Sequence, residues 1–583
     1  MRESKDKTPL KPWKGWGHVL AWAILVSCLW MIFPNRLGTV CRIDGERRVA
    51  VHLPWYSRQQ AEVEVFEAQL LAPVQTVSVH AVDHMEALEL DGHTASITPP
   101  NHRLHWLCTR LPVLENHRRT EHLLRFSIRG RQGELWFDIK EAHGFTRLKV
   151  LSVILWGVAS FMLTMRSGYQ AWVGWPLALA GLLAVQYLDV TNPWLRQHDV
   201  EGHREYIDHL SSTATLPAVQ QGCETWQPPL YYLVASAWRG LLVRLDFSYD
   251  DPFRPVQFLA TALYLTTVIL ALLAFHHLHL DGVEALGALS VLALLPGNLF
   301  FAGRINNDTL LPVLGLAVMF VLAKFAASND RRWLGWLAAV LPATLATKGS
   351  SLAIVGAALS VVFLLEMRAS GWRSAFFRIY LTGLPSAIWL LFWWWRNIAQ
   401  TGDPLYVNSV LPDTLRIYEP TWRRLLSFDF KSFLAGQNYY SSQVRLSYPT
   451  ALVTSILRGE YNMDDFGFRW TWLVRFGCVG MLVLWAAGIV LRPRAELRAG
   501  WAVCLCLALA QMAIMVVYAA QFPFACNQNM RFCAQAFVPF SCLWGLGVSQ
   551  LWSRLGWIGR LAFAVAVIPF SFGLGEFYWR LLF

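Results

Sequence analysis

Between Asp189 and Leu210 the sequence reads DVTNPWLRQHDVEGHREYIDHL, and from Glu224 it continues ETWQPPLYY. Asp189, Arg196, His198, Asp199, Glu201, His203, Arg204, Glu205, Asp208 and His209 crowd together in a chain that is only 15% charged. A carboxylate such as Asp199 suits a general base that takes a proton from a hydroxyl. Cations hold phosphate, and an arginine does so bidentately. Arg196, Arg304, Lys348 and Arg396 fall at the ends of apolar segments, where each can also be a snorkelling or topology-setting charge. Asp199, His203 and Asp308, with Glu201, carry the oxygen and nitrogen donors that a divalent cation takes. His203 lies four positions after Asp199 and shares its face if the stretch is helical. An ionisable group costs about 2.5–3.5 kcal/mol at mid-membrane and tends to be kept where it acts. The alternative is a solvated loop whose charges do nothing.

Composition says what must position these groups. Of 583 residues, 55% are hydrophobic, with 29 Trp and 34 Phe, whereas soluble domains carry about 25% charged residues. Disorder, collagen and a small disulfide scaffold are excluded by apolarity, lack of repeat and length. The apolar residues come in runs rather than alternating as in a barrel, so the chain is a polytopic α-helical membrane protein. The formal charge of +11 fits basic loops that stay cytoplasmic and meet anionic lipid. It does not imply nucleic acid, because no basic-aromatic patch stands outside the membrane pattern.

Residues 1–36 read as a cytoplasmic tail and a retained first span over His18–Phe33, without a small-x-small cleavage site. Residues 37–146 alternate in short stretches, at Arg48–Leu53, Val74–Val82, Leu123–Ile128 and Glu134–Ile139, which predicts an extracytoplasmic β-sandwich. Cys41 and Cys108 there are either a disulfide or two buried thiols. A ladder of apolar segments follows, near 148–165, 171–188, 229–245, 257–276, 284–302, 308–326, 333–347, 351–366, 379–395, 471–491, 499–520, 531–549 and 556–575. With the first span this predicts about 12–14 crossings, some short enough to be half-spans. Residues 147–396 form the core with the loop 189–228, 397–470 an outer segment, and 471–583 the C-terminal helices. Counting forward puts 189–228 outside, while counting back from the basic loops near Arg331–Arg332, Arg368–Arg378 and Arg492–Arg498 disagrees by one crossing. A partial span among 229–245, 257–276 and 284–302 would reconcile the two.

The run from Arg196 to Ile207 (Arg-x-His-Asp-x-x-Gly-His-x-x-Tyr-Ile), followed by Gln227-Pro-Pro-Leu-Tyr-Tyr, resembles the first catalytic loop of the GT-C superfamily. More narrowly it is similar to bacterial relatives of the protein mannosyltransferases and of the aminoarabinose transferase. Arg304-Ile-Asn-Asn-Asp308 looks like the family's second acidic loop, Thr347-Lys348-Gly349 like its Lys-bearing turn, and Arg396-Asn397 with Gly402-Asp403-Pro404-Leu405 like the junction with the outer loop. The likeness covers about residues 148–470. In those relatives the catalytic loop directly follows the first span, whereas here a β domain and two apolar segments intervene.

The resemblance implies a membrane enzyme, in a bacterial inner membrane with its site facing the periplasm or exterior. It would take a sugar from a polyprenyl-phosphate donor and pass it to a glycan, lipid or protein acceptor. Asp199 then matches the catalytic base, and Asp308 stabilises an oxocarbenium-like centre or binds an ion. Arg196, His198, Glu201, His203, Arg304, Asn307, Lys348 and Arg396 are the substrate-binding candidates. One base and direct displacement predict inversion. A divalent cation on Asp199, His203 and Asp308 is a possible cofactor. No Walker or nucleophile-elbow motif appears, so no nucleotide cofactor is expected. A flippase for lipid-linked sugars is the alternative, and it would show two related halves with interrupted helices; no such symmetry is visible.

His276, His277 and His279 read as a polar loop rather than a metal tract, and Cys504 and Cys506 as small packing residues. Cys526 and Cys533 flank an outer turn and are candidates to pair. Tyr406, Tyr418, Trp422, Tyr439, Tyr440 and Tyr448, with Asp464–Asp465, can hold a sugar acceptor or anchor interfacial helices.

Overall fold

The structure, a computed structural model, describes residues 144–189, 191, 199–245, 252–406, 421–435, 447–458 and 498–554, isolated positions at 480, 482, 483, 486, 490 and 575, and the backbone of nine strands between 39 and 141. The expected first span, the segment 556–575 (Gly575 apart) and most of 471–491 lie outside the described residues. So do Arg196, His198 and the side chains of Cys41 and Cys108.

The strands are antiparallel throughout. β1 (Thr39–Asp44), β2 (Arg47–His52), β3 (Val63–Leu70), β5 (His84–Leu90), β6 (His93–Thr94) and β8 (His122–Arg129) form one sheet in the order β2-β1-β3-β8-β5-β6. β4 (Val74–Ala81), β7 (Leu107–Pro112) and β9 (Leu135–Glu141) form another, in the order β7-β4-β9. The four stretches read as alternating fall on β2, β4, β8 and β9.

The helices follow. α1 (Gly144–Arg166), α2 (Trp175–Asp189), α3 (Val200–Thr213), α4 (Leu230–Arg244) and α5 (Arg254–His277) come first. Then come α6 (Gly282–Leu294), α7 (Pro296–Leu299), α8 (Leu311–Ser328), α9 (Arg332–Thr347), α10 (Leu352–Ser370) and α11 (Trp372–Thr401). α12 (Thr421–Leu426), α13 (Phe430–Ala435), α14 (Tyr448–Arg458), α15 (Arg498–Gln521) and α16 (Phe537–Arg554) complete the series. Among the described residues 7 helices are long and apolar enough to cross a membrane, or up to 8 if one bent pair is a single span. The chain is an integral membrane protein.

The bent pair is α6 and Pro296–Gly303, with 59° between its halves. Its start is fixed by a capping box, Asp281 accepting from the amide of Glu284 while Glu284 accepts from that of Asp281. Its break follows from Pro296, which forces Leu295 into an extended conformation (φ −70, ψ 129). The break falls among the three segments where the two topology counts conflict. α4, with 15 residues, and α9, with 16, are short for a full crossing.

Close helix contacts need small residues, since lipid supplies no hydrophobic drive between helices. α6 meets α16 at Gly545, where a Cβ would run into the carbonyl of Glu284. α8 meets the 3₁₀ turn Met530–Ala536 at Gly315, where a Cβ would strike the carbonyl of Gln535. Gly315→Ala should therefore cost about 1–3 kcal/mol. It would be read as an earlier thermal unfolding in detergent, and an unchanged midpoint would refute that approach.

Candidate active site

The loop expected over 189–228 contains a helix. α3 is amphipathic: His203, Tyr206, Ile207 and Leu210 are buried, while Glu201 and Asp208 face out. Asp199 stands at its head with φ 60 and ψ 14, a left-handed conformation that aspartate tolerates better than most residues. α4 holds α3 in place. The Tyr206 ring stacks on Tyr232 at 4.0 Å, and His203 Nδ1 is 2.8 Å from the Tyr232 hydroxyl. Burial pushes the His203 imidazole down to about 4, against the raising effect of Asp199, so it is neutral at physiological pH.

The chain from Ala214 to Pro229 is tied to α11. Arg396 donates to the carbonyls of Pro217 at 2.7 Å and Thr225 at 3.3 Å, and lies 4.4 Å from the Trp393 ring centre. Gln400 accepts from the Val219 amide at 2.7 Å. On α5, Gln257 donates to the Gly303 carbonyl at 3.0 Å and Thr261 to that of Ala302 at 2.6 Å. These bonds fix the chain that leads into Arg304–Asp308. Asn307 then donates to Gln227 Oε1 and, at 3.0 Å, to the Thr347 carbonyl. The neighbours of those two residues, Asp308 and Lys348, form a buried ion pair at 2.5 Å.

The remaining part comes from the 3₁₀ turn before α16. Met530 N donates to Ser455 on α14 at 2.7 Å, and Gln511 on α15 donates to the Phe532 carbonyl at 2.9 Å. Gln535 donates to Gln511 at 2.7 Å. So held, Arg531 Nη2 reaches Asp199 Oδ2 at 3.4 Å, and the Asp199 side chain stays half exposed. Lys348 Nζ and Arg531 Cζ lie 4.7 Å and 5.0 Å from the Phe532 ring centre. Arg531 and Arg304 also line a small cleft. Asn298, Asn529 and Ser455 make it polar, and Phe301, Ile456, Met530 and Phe537 make it apolar.

Of the residues expected from sequence, Asp199, His203, Asp308 and Lys348 share one neighbourhood, buttressed by Asn307, and Arg304 faces the adjoining cleft. Glu201 points out, and Arg396 bonds to backbone carbonyls of the loop. Among the described residues no three His, Cys, Asp or Glu side chains gather as a metal-ligand set. The expected trio does not fit one, since Asp199 faces Arg531, Asp308 faces Lys348 and His203 faces Tyr232. His276 and His277 pack edge-on against Tyr169 and Phe320. Cys504 is buried with its thiol 3.5 Å from the Met319 sulfur, as a packing residue should be. Cys533 is a free, buried thiol, so the expected pair with Cys526 is not formed.

Arg531 was not singled out from the sequence, and Glu224 and Gln227 stand there only within quoted stretches, with no role of their own. The polar run Asn527-Gln528-Asn529 ahead of Arg531, at the head of an apolar segment, is the signal that could have found the first.

No protein-family model and no curated protein matches the chain. Solved structures of an Archaeoglobus fulgidus oligosaccharyltransferase are similar to it. The apo form aligns at 13% identity with a TM-score of 0.38, over 70% of this chain and 55% of that one. The archaeal oligosaccharyltransferase AglB from the same organism, in complex with an inhibitory peptide and a dolichol-phosphate, aligns at 13% identity and 0.36, over 70% and 56%. A complex with Zn and sulfate aligns at 12% identity and 0.37, over 69% and 53%. The chain thus spans little more than half the length of the structures it is similar to.

Proposed function

We propose that the chain is a GT-C-type membrane glycosyltransferase, moving a sugar from a polyprenyl-phosphate donor to a glycan, lipid or protein acceptor outside the cytoplasm. In this reading the acceptor oxygen attacks the anomeric carbon and passes its proton to Asp199. The bond from that carbon to the phosphate oxygen breaks, its electron pair leaves with the polyprenyl phosphate, and the anomeric configuration inverts. Arg531 and Arg304 face the phosphate in the cleft, where preformed positive charge stabilises the leaving group most. Lys348 holds Asp308 beside them. No step runs through a metal, because cations rather than ligand sets face the carboxylates.

The observation that carries the reading is one guanidinium serving two places: Arg531 is 3.4 Å from a half-exposed Asp199 and lines the cleft with Arg304. A base for the acceptor and a cradle for an anionic leaving group need that adjacency. The cleft's mixture of cation, amide and apolar wall suits a phosphate joined to a hydrocarbon chain. The reading extends to a bacterial inner membrane, a site facing the periplasm, two sheets packed as a β-sandwich on that side, and 397–470 on the acceptor side.

The test is transfer by the purified protein in lipid nanodiscs, supplied with polyprenyl-phosphate sugars and cell-envelope acceptors, with products identified by mass spectrometry. The expected product carries the inverted anomeric configuration. Retention would sink the single displacement, and lipid flipping without bond formation would favour a transporter.

A further inference from the structure

Glu224 is a buried carboxyl that the proposed reaction does not use. It lies against the first turn of α3, where a Cβ on Gly202 would come within 2.9 Å of its Cγ. Its Oε2 accepts from Gln227 Nε2, and the other end of that amide accepts from Asn307, which also donates to the Thr347 carbonyl. A backbone carbonyl only accepts, so Thr347 turns Asn307 Nδ2 toward Gln227 Oε1, which leaves Gln227 Nε2 to be held by Glu224. The chain of bonds therefore crosses three separate segments of sequence, and its far end abuts Asp308 and Lys348. We propose that Glu224 is a positioning residue: through Gln227 and Asn307 it fixes the loop bearing Asp199 against the Asp308–Lys348 pair.

Charge adds a second consequence. The site holds two carboxylates, Asp199 and Asp308, and three cations, Lys348, Arg531 and Arg304. A third negative charge at Glu224 would cancel the net positive charge that favours an anionic phosphate. Burial, and then Asp199, push the Glu224 carboxyl up to about 8, while Lys348, Arg531 and Gln227 pull it down. Near it on α3 are also neutral His203 and the outward Glu201 and Glu205, whose fields reach the adjacent Cys223. Glu224 thus stays neutral through physiological pH and ionises as the pH rises through about 8. Donor binding should weaken over that same interval.

The inference deepens the glycosyltransferase reading, so its experiment has one arm that needs no turnover. Infrared difference spectroscopy of the full chain should show a neutral carboxylic acid at pH 7 that disappears as the pH passes about 8 and is missing from Glu224→Gln. No such band would overturn the proposal, whatever the protein's activity. In the transfer assay, wild-type KM for the donor should rise as the pH passes about 8 and level off above it, with kcat little changed. Glu224→Gln, which still accepts from Gln227, should keep wild-type rates at pH 7 and lose the alkaline rise. Glu224→Ala should lower transfer at every pH, because Gln227 is no longer held. An alkaline limb that persists in Glu224→Gln, or a fully active Glu224→Ala, would overturn the proposal; a wild-type chain with no transfer would instead overturn the reading it rests on.

Discussion

Asp199→Asn is expected to lower sugar transfer by about 10²–10⁴-fold, the usual share of a positioned general base, with little change in thermal unfolding. Asparagine is the informative replacement because it tolerates the left-handed backbone of position 199 (φ 60) as aspartate does. Alanine would add backbone strain of about 1–2 kcal/mol at the head of α3, confounding a lost base with a displaced helix. Asparagine also keeps an oxygen facing Arg531. Asp199 is half exposed but Arg531 is only 9% exposed, so the retained amide oxygen, which still accepts from the buried guanidinium, is what keeps the loss to the fold small. Donor KM should therefore stay within a few-fold while kcat falls. A variant that transfers sugar at the wild-type rate would remove Asp199 as the base.

The asparagine outcome would separate what the sequence makes visible from what it hides. The Asp199–His203 spacing was legible because it belongs to one helix, α3, whose periodicity is local. A partial span among three segments was legible from the conflicting topology counts, though not its place at Pro296, and β2, β4, β8 and β9 were legible from their alternation. The partner of Asp199 was not, since Arg531 lies 332 residues away and no local pattern links the two. Arg396 shows the converse case. Its charge and place at a span end suggest a phosphate contact, yet bonds to Pro217 and Thr225 are visible only once the loop is folded. Glu224 was hidden for a third reason: a carboxyl near a membrane face reads as solvated until its burial is known. A charge is easy to find in this chain. Its partners decide its role, and those come from tertiary packing.

Lys348→Met should have the largest effect on the fold. The Asp308 side chain is only 3% exposed and Lys348 12%, with 2.5 Å between them. Removing the ammonium leaves a buried carboxylate without compensation, which costs about 3–5 kcal/mol. Methionine keeps most of the stem that packs toward Phe532, so the loss would come from charge rather than volume. Adding Asp308→Asn should restore much of the unfolding midpoint, because an uncharged pair no longer carries that penalty. Transfer should stay low in the double variant if Asp308 acts at the reacting centre. Recovery of both stability and transfer would make the ion pair a structural fastener, and no recovery of stability would mean that Lys348 acts mainly through groups other than Asp308. The double-mutant cycle thus distinguishes a carboxylate kept for the reaction from one kept for the fold, at the position where α8 and α9 bring their ends together.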